Sequence, residues 1–254
     1  MATVQTTRDS DVLIVTINRP EVRNAIDART AEALTDAFLS FDRDGAASVA
    51  ILTGTGANFC AGADLKAIAG GEDRDISEKK TAPMGPTRLL LSKPVIAAVE
   101  GYAVAGGLEL ALWCDLRVAA ADAVLGIFCR RFGIPLLDLG TVRLPRLIGH
   151  SRAMDMILTG RAVPADEAFQ IGLVNRLAPT GQALHDAVQL ARDIAAFPQL
   201  CLRSDRLSAY EQWSLSYEDA WRNELRRGDQ VRAAGEPYDG ARAFAAGQGK
   251  HGVF

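Results

Sequence analysis

The sequence predicts an α/β fold with a helical C-terminal region. Three observations carry this. Short apolar, β-branched runs alternate with helical stripes through the first half of the 254 residues. Small-residue turns twice join a strand to a helix. Beyond about residue 141 the periodicity is almost wholly helical.

The elements follow in order. Val12–Ile17 is apolar and β-branched and reads as a strand ended by Asn18-Arg19-Pro20. Asp27 is placed to cap a helix that carries Ala31, Leu34, Phe38 and Phe41 at helical spacing. Ser48–Thr53 and Val95–Val99 are the next strands, with Leu116–Ala120 a fourth after an apolar helix that starts at Gly106-Gly107. Residues 66–92, with Gly70-Gly71 and mixed charge, read as a loop with some helix, either a lid or an ordinary surface connection. In the second half, Ser151 is a candidate cap for a helix through Leu158. Residues Gln182 to Phe197 keep a helical stripe until Pro198, and Ser216 with Asp219 forms a capping box.

Composition narrows the function. The formal net charge is −3, so no global field draws nucleic acid or an anionic membrane. Cys60, Cys114, Cys129 and Cys201 form no CxxC pair, and His150, His185 and His251 have no metal-ligand spacing, which predicts neither a disulfide framework nor a metal site. The N-terminal residues do not resemble a signal peptide and no apolar run is long enough to span a membrane, so a cytoplasmic location is expected.

Two segments carry the chemistry. In Asn58-Phe59-Cys60-Ala61-Gly62-Ala63-Asp64-Leu65-Lys66 a strand gives way to small residues before a helix. In Glu100-Gly101-Tyr102-Ala103-Val104-Ala105-Gly106-Gly107-Leu108-Glu109 the same happens again. Small side chains let backbone N–H groups approach a ligand, and a helix N-terminus attracts negative charge. Two such amide corners facing each other would make an oxyanion hole. Taken singly, each segment is usually no more than a tight turn.

Together, the pair resembles the two signature segments of the crotonase (enoyl-CoA hydratase/isomerase) superfamily. Asn18-Arg19-Pro20 with Asn24-Ala25 is similar to the family's opening turn. Leu158-Thr159-Gly160, Ala165, Ala168 and Gly172-Leu173-Val174-Asn175 resemble its later helical region. The resemblance implies a ββα spiral core over residues 1–195 and a helical region over 196–254 used in trimerisation. It implies that the N–H groups of Ala63 and Gly106 hold the oxygen of an acyl-CoA thioester as it becomes an enolate. Glu109 matches the first catalytic glutamate and sits one helical turn beyond Gly106, so its carboxylate can face the same pocket. Arg23, Ala61, Asp64, Leu65 and Lys66 fall where the family contacts coenzyme A; for Arg23 and Lys66 a solvated surface charge is the other reading. Phe244 matches an aromatic that meets a neighbouring subunit's coenzyme A, with Lys250 a candidate for the cation usually found beside it. No cofactor is implied beyond the coenzyme A of the substrate. Expected partners are the thioester and further copies of the chain, as a trimer or a pair of trimers.

The sequence departs from the family at one catalytic position. The second glutamate should lie twenty residues after Glu109, where Cys129 stands. A thiol is a poor replacement for a carboxylic acid, and a small buried filler is the plainer reading of Cys129. Asp138 is a candidate substitute; dienoyl-CoA isomerases resemble this chain in having an Asp three residues before the Thr. A helix cap at Gly140-Thr141 is its other reading, and Arg130 or Arg131 could pair with it. Hydration of a 2-enoyl-CoA is therefore the leading expectation. An isomerase, decarboxylase or hydrolase of acyl-CoA is the rival within the class, and a non-catalytic acyl-CoA or RNA binder the rival outside it.

Overall fold

A computed structural model describes residues 2–72 and 82–249. The chain divides between Ile194 and Ala195 into two compact units.

The first unit opens with strands β1 (Val4–Asp9) and β2 (Val12–Ile17), an antiparallel hairpin. Helix α1 (Ala28–Arg43) follows, and its first turn is capped by the Asp27 carboxylate, which accepts the Thr30 N–H at 2.8 Å. Strand β3 (Val49–Gly54) leads to the short helix α2 (Leu65–Ala69). Then come β4 (Val95–Val99), β5 (Tyr102–Val104), α3 (Gly106–Trp113), β6 (Leu116–Ala120) and β7 (Val124–Gly126). After a 3-10 turn at Phe128–Phe132 the chain forms α4 (Gly140–Ile148), α5 (His150–Thr159), β8 (Ala162–Pro164), α6 (Ala165–Gln170), β9 (Arg176–Ala178) and α7 (Ala183–Ala195).

The strands form two sheets. The larger has the order β1-β2-β3-β4-β6-β9, parallel from β2 onward, and the smaller has the order β5-β7-β8. The chain alternates between them, passing from β4 in the large sheet to β5 in the small one and then to α3. This is the strand–strand–helix repeat of a crotonase-type spiral. The stretch after β3 is a shorter version of the same step, since Cys60 bridges in parallel to Ala103 of β5.

Central strands of a parallel sheet are covered on both faces, so they read as continuous apolar runs. Every residue of β4 is buried, and α3 is buried all round from Gly107 to Trp113. Trp113 meets Phe38 of α1 edge to face at 4.7 Å and donates its indole N–H to Leu89 O. Arg117 of β6 lies in this core at 2% exposure. Its guanidinium is satisfied by the carbonyls of Ala111, Cys114, Asp115 and Leu173, which tie β6 to the end of α3 and to the approach to β9.

The second unit contains α8 (Gln199–Glu211), α9 (Tyr217–Ala234) and α10 (Glu236–Ala245). Ser216 caps α9 by accepting the Asp219 N–H at 3.1 Å. Within the unit, Glu211 binds Arg227 across α8 and α9. Trp213, Trp221 and Phe244 are each about half exposed or more.

Several expectations need correction. The region beyond residue 141 is not wholly helical, because β8 and β9 add strands to both sheets. Ser151 lies inside α5, whose preceding residue is Gly149. Strands β1, β5 and β7 had no visible signal: β1 is mostly polar and exposed, and the other two are three residues long. Within the 66–92 stretch, α2 and a 3-10 turn at Pro86–Arg88 are present, and residues 73–81 lie outside the described residues, as does Lys250.

Candidate active site

Backbone pairing brings the two small-residue segments together. Phe59 and Cys60 donate their N–H groups to Glu100 O and Tyr102 O, and Val104 donates back to Cys60 O. On the other side, Ile26 donates to Gly62 O and Asp64 donates to Ile26 O. Ala63 is therefore held on both flanks, yet among the described residues its own N–H has no acceptor. The Gly106 N–H is likewise without an acceptor there, as the first helical position of α3 requires. The two corners abut: a Cβ on Gly62 would come within 2.8 Å of Ala105 Cβ and 3.0 Å of Gly106 N. Ala105, immediately before Gly106, has φ 54° and ψ −127°. A non-glycine residue held there stores strain, a common mark of functional positions.

Ala63 and Gly106 line one cavity of about 320 Å³, together with Ala61, Leu65, Glu109, Cys129 and Asp138. The rest of its wall is largely apolar, including Ile68, Met84, Phe128, Ile134 and Leu137. Glu109 is 3% exposed. Its Oε1 accepts the N–H of Asp138 at 2.9 Å and of Gly140 at 2.8 Å. Burial, and then the neighbouring Asp138, push its carboxyl up from the ordinary 4.5 to about 7, against the two amides and Arg143, which favour the carboxylate.

Asp138 is 2% exposed and its Oδ1 accepts the Met84 N–H at 2.9 Å and the Thr87 hydroxyl at 2.5 Å. Its carboxylate does not cap α4, whose N-cap position is Leu139 without a side-chain hydrogen bond. Nor do Arg130 and Arg131 reach it: their guanidinium groups bind Ile157 O and Gly160 O. Cys129 is 7% exposed, and burial followed by the proximity of Glu109 pushes its thiol up. A thiol held neutral in this way is a weak acid beside the carboxyls.

The remaining candidates are distributed around this centre. The Arg23 carbonyl accepts the Ala61 N–H at 3.0 Å, while its guanidinium lies over the Tyr102 ring at 5.8 Å. Lys66 is exposed on α2. Asp64 is absent from the cavity wall. Its carboxylate caps α2 through the N–H groups of Lys66 and Ala67 and pairs with Arg19 at 3.0 Å. Burial alone would raise this carboxyl, but the Ala67 amide and Arg19 more than offset it and lower it. Phe244 belongs to the second unit and is exposed on α10.

Sequence reasoning passed over Arg19, Thr87 and Arg143. Arg19 ties the opening turn to the start of α1 through Asp27 and to the first small-residue segment through Asp64, and buried Asn24 ties it to Thr55 O and Asn58 O. Arg143 donates to Asp138 O at 3.0 Å and Thr87 O at 2.6 Å. The Asn-Arg-Pro turn signalled the first group; nothing in the pattern around Thr87 singled it out.

The fold and its wall of small residues agree with the comparisons. The family model described as enoyl-CoA hydratase/isomerase matches residues 7–224. The chain is 37% identical to enoyl-CoA hydratase EchA19 of Mycobacterium tuberculosis, with 96% of each chain covered. It is 38% identical to a carnitinyl-CoA dehydratase of Salmonella arizonae, with 94% of each covered. Among solved structures, the enoyl-CoA hydratase EchA1 of Mycobacterium marinum superposes with a TM-score of 0.91 at 39% identity, with 96% of each chain covered. These features define an enzyme with the crotonase fold. The chain belongs to the enoyl-CoA hydratase/isomerase family and is of the hydratase/lyase type.

Proposed function

We propose that this enzyme adds water across the double bond of a 2-enoyl-CoA through an enolate held by the N–H groups of Ala63 and Gly106. One observation carries the reading: two acceptor-free amides and a buried carboxyl near neutrality line the same apolar cavity. Glu109 takes a proton from water as its oxygen bonds to C3. The π electrons move onto the thioester oxygen, where two N–H donors are each worth about 10²–10³ in rate. Asp138, which enters the cycle carrying the one proton the two carboxyls share, gives it to C2 and is left as the carboxylate, and passage of the proton gained by Glu109 back to Asp138 through solvent restores the starting state. A carboxyl near pH 7 suits this work, since it gives and takes protons with equal ease at that pH.

Coenzyme A is carried by the substrate, and the reaction calls for no further cofactor. Ala61 and Leu65 adjoin the acyl thioester, Arg23 and Lys66 supply cations for its phosphates, and Asp64 shapes this wall through its cap. Phe244 meets coenzyme A of a neighbouring copy in a trimer or a pair of trimers, an assembly supported by the exposed Trp213, Trp221 and Phe244. A cytoplasmic location goes with this reading. Among the described residues no helix is long and apolar enough to cross a membrane.

The test is loss of enone absorbance with a panel of 2-enoyl-CoA esters, with products weighed by mass spectrometry. A gain of one water marks hydration, and an unchanged mass with a shifted double bond marks isomerisation. Glu109→Gln should lower the turnover number by about 10²–10⁴ with thioester affinity within a few fold. Asp138→Asn should cost a comparable factor. An unchanged rate for Glu109→Gln refutes the mechanism and favours a non-catalytic binder.

A further inference from the structure

We infer that Arg143 is a positioning residue: it holds the Asp138–Gly140 turn in the shape that presents two amides to Glu109. Two N–H groups that lie two residues apart converge on one oxygen, Glu109 Oε1. They can do so because Leu139, between them, is left-handed with φ 67° and ψ 20°. Leucine is disfavoured in that conformation, so the turn needs support from outside itself. That support is Arg143, one turn along α4. Its fork grips the Asp138 carbonyl at the start of the strained turn and the Thr87 carbonyl across from it. Thr87 in turn donates its hydroxyl to Asp138 Oδ1, alongside the Met84 N–H. One guanidinium and one carboxylate thus clamp the 84–87 segment to the turn from both sides.

Opening the clamp lets Leu139 relax toward ordinary backbone angles and draws the two amides off Glu109. Among the described residues, the charged and titratable groups acting on Glu109 are Asp138 and Arg143 from the turn and α4, and Cys129 from the 3-10 turn; α3 itself carries no other, and Glu72, whose carboxylate accepts the Ala28 N–H, lines the same cavity. Arg143 and the amides both favour the Glu109 carboxylate, so losing them together makes Glu109 hold its proton to higher pH.

This inference rests on the assignment of Glu109 as the proton-transfer group, and the test separates the two. Arg143→Met, Arg143→Lys, and Arg143→Met combined with Leu139→Gly are compared with the parent. The first readout is the pH dependence of turnover for whichever thioester the panel selects. The second needs no substrate: the infrared band of the protonated Glu109 carboxyl, identified by its loss in Glu109→Gln, is titrated in the ligand-free protein. Arg143→Met should raise the midpoint by on the order of one pH unit and lower turnover about fivefold at pH 7. Arg143→Lys keeps the charge without the fork and should fall between. Glycine adopts the left-handed turn without strain, so the combined variant should move the midpoint back toward the parent. A slower Arg143→Met enzyme with an unmoved midpoint in both readouts overturns the inference. So does a combined variant whose midpoint stays as high as that of Arg143→Met, because charge alone would then explain the shift.

Discussion

Replacing Glu109 with glutamine should stabilise the folded chain at pH 8 even as it abolishes proton transfer. Burial and Asp138 raise this carboxyl from 4.5 to about 7. Between those values the folded chain binds more protons at this site than the unfolded chain does, so its contribution to stability falls as pH rises, and the penalty is complete above about pH 7. The rise corresponds to about 3 kcal/mol. In a chain of this size that is roughly 6–12 °C in Tm. Glutamine has the same shape, and its amide oxygen can still accept the N–H groups of Asp138 and Gly140, while no charge is buried at any pH. Thermal unfolding of the ligand-free parent and variant, followed by circular dichroism from about pH 5 to pH 8.5, measures the difference. The two Tm values should be close at the acid end and diverge in favour of the variant as pH rises through 7. A difference that does not change with pH, or one that favours the parent at alkaline pH, refutes the account of why Glu109 titrates where it does.

Cys129→Ser should change turnover by less than about threefold, since a neutral thiol filling space is replaced by a group of similar volume; loss of nearly all activity in the enone assay would make the thiol a participant. Light scattering at micromolar concentration should give three or six times the 27.1 kDa chain mass, and a monomer would remove the assembly from the reading.

The large sheet was legible where burial made it so. Strands β3 and β4 are buried along nearly their whole length and appear in the sequence as apolar runs close to their observed limits, while β2, half buried, and β6, which holds Arg117, are still apolar enough to read as strands. Strand β1 pairs at the exposed edge and carries Gln5, Thr6, Thr7 and Arg8, so it has no hydrophobic period to read. Strands β5, β7, β8 and β9 have three residues each, too few for any period, and exist because the sheets already present offer them partners. Helices were found where a cap and a stripe agreed, as at Asp27 and Ser216. The cap assigned to Ser151 failed because Gly149 turns the chain one residue before α5 begins.

For the candidate site, the sequence offered residue types but not the geometry that brings them to one cavity, for a reason visible at two places. Each amide pair depends on a non-glycine residue with positive φ just before a helix, Ala105 before Gly106 and Leu139 before Gly140. The usual inference assigns the unusual backbone angle to the glycine. Here the angles fall on alanine and leucine, and the glycines leave room for the side chains of Met84 and Glu109. A Cβ on Gly106 would lie 2.5 Å from Met84 Sδ, and one on Gly140 would lie 2.8 Å from Glu109 Oε1. Each strained residue costs about 1–3 kcal/mol and persists only if its surroundings fix it. Those surroundings are long-range: Ala105 donates to Gly126 O at 2.8 Å, and the Leu139 turn is gripped by Arg143 and by the 84–87 segment some fifty residues away. Sequence shows that a small residue is tolerated at Gly106 and Gly140, but which neighbour needs the space, and which residue bears the strain, is decided by contacts that exist only once the two sheets have brought distant segments together.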